Sequence, residues 1–119
     1  MSGLAAQRLE QPPLRGGQPD LLVLHRRAAL DFAERRATVD EQEIRLTPTE
    51  WRLLEALCRE PGHLVLQQDL LRSVWGPSYG RESNYLRVYA NQLRRKLEPD
   101  PSAPRHLITE PGLGYRFTP

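Results

Sequence analysis

The stretch RESNYLRVYANQLRRKLE, residues 81–98, decides the fold and points to the function of this chain. Its apolar side chains recur at spacings of 4, 3 and 4, at Leu86, Ala90, Leu93 and Leu97. This spacing is typical of the buried stripe of an amphipathic helix. Residues 81–97 also carry five basic side chains and one acidic one, a charge of +4. The helix is therefore either an ordinary solvated one or a surface that binds a polyanion.

Helical geometry fixes which side chains lie opposite the apolar stripe. They are Asn84, Arg87, Val88, Asn91, Gln92, Arg94 and Arg95. On DNA, arginine neutralises phosphate or binds guanine through two hydrogen bonds, and asparagine or glutamine can pair with adenine. A small apolar side chain such as Val88 can contact the methyl group of thymine. A basic helix by itself is more often a solvated surface, so the neighbouring elements decide between the two interpretations.

Four short apolar runs near the start of the chain predict strands. They are residues 21–24, 28–32, 37–39 and 43–46. Spacings this short favour a small antiparallel sheet. Residues 1–20 differ, because they hold three prolines, three glycines and no apolar period, which is typical of a flexible linker or leader. The folded domain is therefore predicted to comprise residues 21–119.

The next stretch, LTPTEWRLLEALCREPG at 46–62, predicts a helix. Thr47, Pro48 and Glu50 have the spacing of a capping box, in which a hydroxyl and a carboxylate each accept from a free backbone N–H. An apolar face follows at Trp51, Leu54, Leu57 and Cys58. Cys58 is therefore predicted to be a buried structural thiol rather than a reactive one.

A second helix and a hairpin complete the predicted order around the basic helix. The segment QQDLLRSVWG at 67–76 predicts a short helix, which Gly76-Pro77 ends. After a proline-rich connection, RHLIT and GYRF flank EPGLG, the pattern of a β-hairpin with a glycine-rich tip. Gly112 and Gly114 are predicted to be turn residues with positive φ. A short helix, a turn and a hairpin around the basic helix favour nucleic-acid binding.

Composition bounds the remaining possibilities. The 119 residues suffice for one domain with a modest core. Residues 1–46 and 99–119 each balance to zero charge, so the net charge of +2 lies between them. No apolar run is long enough to span a membrane, no signal peptide is indicated, and Cys58 is the only cysteine. The cytoplasm is therefore the expected location.

No catalytic or metal-binding pattern is found in the sequence. His25, His63 and His106 are scattered, without the spacing of metal ligands. No Ser/His/Asp arrangement and no pair of carboxylates stands out. The GLG at 112–114 precedes a strand rather than a helix, so it is no phosphate-binding loop. We therefore expect no enzymatic activity, no metal and no cofactor.

Three longer motifs carry a specific resemblance. They are LTPTEWRLLEALCREPGHLV, LLRSVWG and NYLRVYANQLRRKLEPDPSAPRHLITEPGLGYRF. At these separations they resemble the effector domain of OmpR/PhoB-type response regulators. The branch of the family that regulates potassium transport is the most similar in two stretches, NYLRVY and PRHLITEPGLGYRF. The resemblance implies an α+β winged helix-turn-helix with an N-terminal antiparallel sheet of four strands, three helices and a C-terminal β-hairpin wing. It also implies sequence-specific binding of double-stranded DNA by a two-component transcriptional regulator.

In this family the third helix enters the major groove. By position, the resemblance implies that Val88 and Gln92 face base edges, with Arg87 and Asn91 beside them. The residues expected at phosphates or the groove rim are Trp75, Asn84, Tyr85, Tyr89, Arg94, Arg95, Thr109, Gly112 and Tyr115. Trp75 and Tyr115 are equally well explained as core aromatics. Both roles are compatible, because an indole or a phenol can bury its ring and expose its polar tip.

The resemblance also implies partners. The segment through which some members contact RNA polymerase corresponds here to Gly76, Pro77, Ser78, Tyr79, Gly80, Arg81 and Glu82. Members commonly bind as pairs on tandem half-sites about one helical turn apart, so we expect a monomer alone and a dimer on DNA. No pattern of a receiver domain precedes residue 28. We expect the chain to be the C-terminal effector half, with residues 1–20 partly the interdomain linker.

Three positions depart from the family pattern. Pro111, preceded by Glu110, stands where the wing tip often carries an arginine, which argues against reading of the minor groove by this wing. Gln92 stands where relatives often have arginine, which shifts the expected preference from guanine toward adenine. Leu66 replaces the usual Ser or Thr cap of the second helix, which should weaken that helix start by ~1 kcal/mol.

Two other functions remain open from the sequence alone. A winged helix can be a protein-interaction module, in which case the loop 76–82 would be its contact surface. The hairpin could instead bind single-stranded RNA, but Tyr115 and Phe117 are its only aromatic pair and their alternation turns both inward. A steep salt dependence of duplex binding would distinguish DNA binding from protein docking.

Overall fold

A computed structural model describes residues 14–15, 18–19, 21–25, 28–77 and 82–119. It begins with two very short antiparallel strands, β1 (Leu14–Arg15) and β2 (Gln18–Pro19). Both strands fall inside the segment 1–20 that the sequence predicts to be a linker. The boundary of that linker stays a prediction, because most of the segment lies outside the described residues.

A meander of four antiparallel strands follows. The strands are β3 (Leu21–His25), β4 (Ala28–Asp31), β5 (Arg36–Val39) and β6 (Gln42–Ile44). Each pairs with the next along the chain, in the order β3-β4-β5-β6. Leu22, Leu24 and Leu30 are buried on one side of this sheet. The four predicted strands and their antiparallel arrangement are therefore confirmed.

Three helices follow in the described part of the chain. They are α1 (Pro48–Cys58), α2 (Gln67–Trp75) and α3 (Glu82–Leu97). The predicted capping box is present, because Glu50 N donates to Thr47 Oγ1 over 3.2 Å and Thr47 N donates to Glu50 Oε1 over 2.7 Å. Leu66, at the N-cap of α2, makes no side-chain cap hydrogen bond, as predicted.

A second sheet joins the helices to the C-terminal hairpin. Its strands are β7 (Leu64–Leu66), β8 (Leu107–Glu110) and β9 (Gly114–Phe117). The order is β7-β9-β8, and both pairings are antiparallel. The hairpin β8-β9 confirms the predicted wing. The strand β7 is not predicted from the sequence, because a three-residue apolar run between two helices has no recognisable period.

The two glycines of the wing have different roles. Gly112 lies in the turn with φ of +77°, as predicted. The prediction of positive φ is wrong for Gly114, which lies in β9 and is not among the glycines with that conformation. A Cβ atom at Gly114 would lie 2.1 Å from the carbonyl oxygen of Val65. Glycine is needed there because it lets β9 approach β7 closely.

The core confirms the apolar stripes of α1 and α3. Leu86, Ala90, Leu93 and Leu97 are each at most 3% exposed. They pack with side chains of both sheets and of the other helices in a single cluster. Cys58 is fully buried in it, and burial raises the pKa of its thiol far above the ordinary value. The chain thus has an α+β winged-helix fold in which the core holds α3 with its basic face outward.

Candidate nucleic-acid interface

The outer face of α3 presents basic, amide and small apolar side chains together. Those exposed are Asn84, Arg87, Val88, Asn91 and Arg95, while Gln92 is half-buried. Val88 is 49% exposed although it is apolar. The structure therefore brings the four candidate base-reading residues onto one surface. Of the seven side chains predicted for this face, Arg94 directs two of its nitrogens to the neighbouring wing.

Arg94 joins α3 to the wing. Its Nε donates to the carbonyl oxygen of Leu107 over 3.0 Å, and one terminal nitrogen donates to Thr109 Oγ1 over 2.6 Å. The other terminal nitrogen donates to Asn91 Oδ1 over 3.0 Å. A guanidinium has five N–H groups, so two remain for another acceptor. Arg94 therefore fixes the angle between α3 and β8, and its predicted phosphate contact stays a prediction.

Lys96 belongs to the opposite flank of α3, where α1 begins. Its Nζ donates to Glu50 Oε1 over 2.7 Å and to the carbonyl oxygen of Arg45 over 3.1 Å. Glu50 is fully buried, whereas the Lys96 side chain is 34% exposed. The charge of +4 that the sequence indicates for residues 81–97 includes Lys96. Because its charge is paired with a buried carboxylate, it contributes little to the field over the outer face.

Glu98 connects the end of α3 to the start of the wing. Its Oε1 accepts from the backbone N–H of Arg105 over 2.8 Å. Its Oε2 accepts from the N–H groups of His106 and Leu107 over 2.9 and 2.8 Å. Glu98 is buried, so these bonds are shielded from water. Sequence reasoning missed this role. The motif that contains Glu98 indicates a charged residue at the end of a helix, but it does not indicate which groups its carboxylate binds.

The aromatic side chains beside α3 divide between surface and core. Trp75, at the end of α2, is half-buried and its ring lies 5.9 Å from the ring of Tyr89. Both rings pack against the core. Tyr85 is 54% exposed, one turn before Tyr89. Trp75 and Tyr89 therefore have a structural role whether or not they reach phosphates, whereas Tyr85 has its ring on the surface.

The base of the wing faces α3 across a cleft of about 400 Å³. Arg87, Asn91 and Arg94 line the cleft from the helix, and Thr109 and Tyr115 line it from the wing. Thr109 is exposed, but Tyr115 is only 9% exposed and lies in the core cluster. The core interpretation of Tyr115 is therefore confirmed. Its contact with a DNA backbone, like that of Thr109, stays a prediction.

The tip of the wing is braced rather than cationic. Glu110 accepts from Arg116 Nε over 3.2 Å, and Arg116 also donates to the carbonyl oxygen of Gly62 over 2.8 Å. Pro111 and Gly112 are exposed in the turn, and Leu113 is 54% exposed. The one arginine of the hairpin strands thus points back to the body of the domain. The expectation that this wing does not read the minor groove stays a prediction.

The predicted polymerase-contact loop is described only at its two ends. Gly76 has φ of +93° and donates its N–H to the carbonyl oxygen of Arg72 over 2.9 Å, which ends α2. Pro77 is exposed, and Glu82 is the first residue of α3. Ser78, Tyr79, Gly80 and Arg81 lie outside the described residues.

Other kinds of site were sought in the described part of the chain. There, no group of three or more His, Cys, Asp or Glu side chains is placed to hold a metal ion. No helix among the same residues is long and apolar enough to cross a membrane.

The successive helices α2 and α3, the exposed basic face of α3 and the hairpin beside it define the class of winged-helix DNA-binding domains. Residues 41–117 match the family described as "Transcriptional regulatory protein, C terminal". The chain belongs to this family, the DNA-binding domain of OmpR/PhoB-type response regulators.

One relative is the transcriptional regulatory protein KdpE of Mycobacterium tuberculosis, which is 50% identical over 113 residues. The match covers 95% of this chain and 46% of the relative. The chain thus spans about half the length of the curated relatives it matches.

Solved structures agree on the fold. The response regulator DrrB of Thermotoga maritima, an OmpR/PhoB homologue, superposes with a TM-score of 0.74 at 24% identity, over 85% of this chain and 45% of that one. The DNA-binding domain of Klebsiella pneumoniae RstA, in complex with the RstA box, superposes with a TM-score of 0.68 at 21% identity. That match covers 81% of this chain and 95% of the RstA domain.

Proposed function

We propose that this chain binds double-stranded DNA sequence-specifically, with α3 in the major groove. The observation that carries the proposal is the outer face of α3, where Arg87, Val88 and Asn91 are exposed beside Gln92 while the leucines behind them are buried. An α-helix fits the major groove, and these side chains are those that read base edges there. The wing flanks the groove and positions α3 through Arg94.

The contacts divide into two groups. Arg87, Val88, Asn91 and Gln92 would read base edges. The DNA backbone would be bound by Trp75, Asn84, Tyr85, Tyr89, Arg94, Arg95, Thr109, Gly112 and Tyr115. The exposure of Thr109 and Arg95 supports this second assignment, whereas Tyr115 could offer only the polar tip of a buried ring.

In a full-length protein the chain would be the effector half of a two-component regulator. A receiver domain would occupy the rest of the length, since the relatives are about twice as long. Pairs of the protein would bind tandem half-sites about one helical turn apart. The similarity to KdpE favours potassium-transport genes as targets, and the bacterial cytoplasm as the location. The loop 76–82 would contact RNA polymerase.

The salt dependence of duplex binding tests the proposal. Each neutralised phosphate contributes about −0.9 to the slope of log affinity against log salt. Arg94 and Arg95 are the two cationic side chains assigned to phosphates, so we expect a slope of about −2 for one bound domain and about −4 for a pair on tandem half-sites. The slope is measured by fluorescence anisotropy on duplexes from a random-sequence selection. Arg95→Ala should reduce the steepness by about one, whereas Arg36→Ala, an exposed arginine on β5, should not. A flat dependence would support protein docking instead.

A further inference from the structure

The contact between Arg94 and Asn91 fixes the orientation of an amide in the candidate interface. Arg94 donates to Asn91 Oδ1 over 3.0 Å. A guanidinium can only donate hydrogen bonds, so the amide oxygen, and not the amide nitrogen, must face it. Among the described residues, no partner accepts from the side-chain N–H groups of Asn91, which are left for another partner. Asn91 is exposed, so that partner can come from outside the domain.

The Arg94 side of this contact is held in place by the wing. Two further hydrogen bonds tie the guanidinium to the carbonyl oxygen of Leu107 and to Thr109 Oγ1. Moving Arg94 away from Asn91 would disturb both of them. The orientation of the Asn91 amide is therefore coupled to the junction between α3 and β8.

This orientation changes what Asn91 can recognise. Pairing with adenine requires the amide oxygen to accept from N6 while the amide nitrogen donates to N7. In this chain the oxygen already accepts from a cation, whose charge disfavours a second donor at the same atom. The amide nitrogen keeps both of its N–H groups. Asn91 therefore presents donors to the groove.

We infer that Asn91 selects a base edge made of hydrogen-bond acceptors, with Arg94 as its positioning residue. In the major groove such edges are N7 and O6 of guanine and O4 of thymine. The inference rests on the proposed function, since it assumes that α3 lies in that groove. An amide whose orientation is free is expected to prefer adenine. The inference instead assigns Asn91 a preference for guanine or thymine.

Gln92 supplies an internal control one residue away. Among the described residues, its side chain has no hydrogen-bond partner, so no cation holds its amide in one orientation. Its oxygen and nitrogen can both turn to adenine. Two neighbouring amides should thus read different bases, because only one of them is held by an arginine.

The test measures base preference in four proteins: wild type, Asn91→Ala, Asn91→Asp and Gln92→Ala. Each is measured on the duplex selected by the wild type and on its single base-pair variants. At one base pair, the wild type should prefer guanine or thymine over adenine by about tenfold, and Asn91→Ala should lose that preference. Asn91→Asp keeps the partner of Arg94 but has no donor, so the preference should vanish or shift to cytosine. Gln92→Ala should abolish the base preference at a different base pair.

Modified bases distinguish the two acceptor edges. If the base is guanine, 7-deazaguanine should weaken wild-type binding and leave Asn91→Ala unaffected. If it is thymine, a 5-methylpyrimidinone without O4 should do the same. Arg94→Ala should weaken binding to all duplexes. Because it frees the Asn91 oxygen, it should also restore a preference for adenine at that base pair.

The outcomes separate this inference from the function on which it rests. A wild-type protein that shows no salt-dependent duplex binding would overturn the proposed function. Steep binding combined with unchanged preferences in Asn91→Ala would overturn the inference alone. Adenine at the Asn91 base pair, with binding weakened when its N6 amino group is removed, would also overturn the inference.

Discussion

The two flanks of α3 are fixed by different chemistry. Toward the wing, Arg94 and Glu98 bind mainly backbone groups of β8 and of the residues just before it. Toward α1, Lys96 binds the fully buried Glu50, which also caps that helix. One flank therefore sets the position of the wing, and the other joins two helices. Basic residues on one helix therefore need not share a function.

The stability of the domain should be more sensitive to loss of the Glu98 carboxylate, on the side of the wing, than to loss of the Glu50 carboxylate. In Glu98→Ala, three backbone N–H groups lose their acceptor, and buried unsatisfied donors are costly. We expect the free energy of unfolding to fall by about 3 kcal/mol or more, measured by urea denaturation. Glu60→Ala is the control, since this side chain is exposed and should change stability by less than about 0.5 kcal/mol. A loss below about 1 kcal/mol would show that water replaces the carboxylate.

Loss of the Glu50 carboxylate, on the side of α1, should lower the free energy of unfolding by less. Glu50→Ala removes the helix cap and the partner of Lys96, but Lys96 is 34% exposed and can turn to water. We expect a loss of about 2 kcal/mol, the sum of a cap and a hydrogen bond to a charged group. A double-mutant cycle with Lys96→Ala should give a coupling of about 1 kcal/mol. Purely additive effects would mean that the ion pair contributes nothing.

The two cations should differ in duplex binding, which is the smallest of these effects. Arg94→Ala should lower affinity for the selected duplex and for random duplexes by about tenfold, because α3 and the wing lose their fixed angle. Lys96→Ala should change affinity by less than about threefold, since its charge is already paired with Glu50. Both are measured where circular dichroism shows folded protein. Equal losses for the two variants would contradict the division between the flanks.

The regular parts of the fold could be predicted from local patterns. The leucine stripe of α3, the Thr47–Glu50 capping box and the four short strands all follow from spacing along the chain. So does the uncapped start of α2 at Leu66. Each depends on residues close in sequence, which the periodicity of the chain relates to one another directly. The side chains opposite the stripe could be assigned to the outer face for the same reason.

The rest depended on contacts between residues far apart in sequence. Glu50 and Lys96 are separated by 46 positions, and nothing in either motif indicates the other. The positive φ predicted for Gly114 is wrong, because the need for glycine comes from Val65, which belongs to a strand that has no period of its own. The orientation of Asn91 likewise required Arg94 to be placed against β8. Tertiary partners therefore decide the roles that composition leaves open.

The strand β7 has a mechanical consequence for how this domain meets its target. Since β7 lies between α1 and α2 and pairs with β9, the hairpin cannot swing independently of the helix pair. At Gly114 the two strands approach so closely that a Cβ atom would lie 2.1 Å from the carbonyl oxygen of Val65. If α3 enters the major groove as proposed, we expect the wing to keep its position and the duplex to deform. We then expect operators to be favoured when the base steps between the groove bound by α3 and the DNA strand contacted by the hairpin bend easily, even where no side chain touches a base.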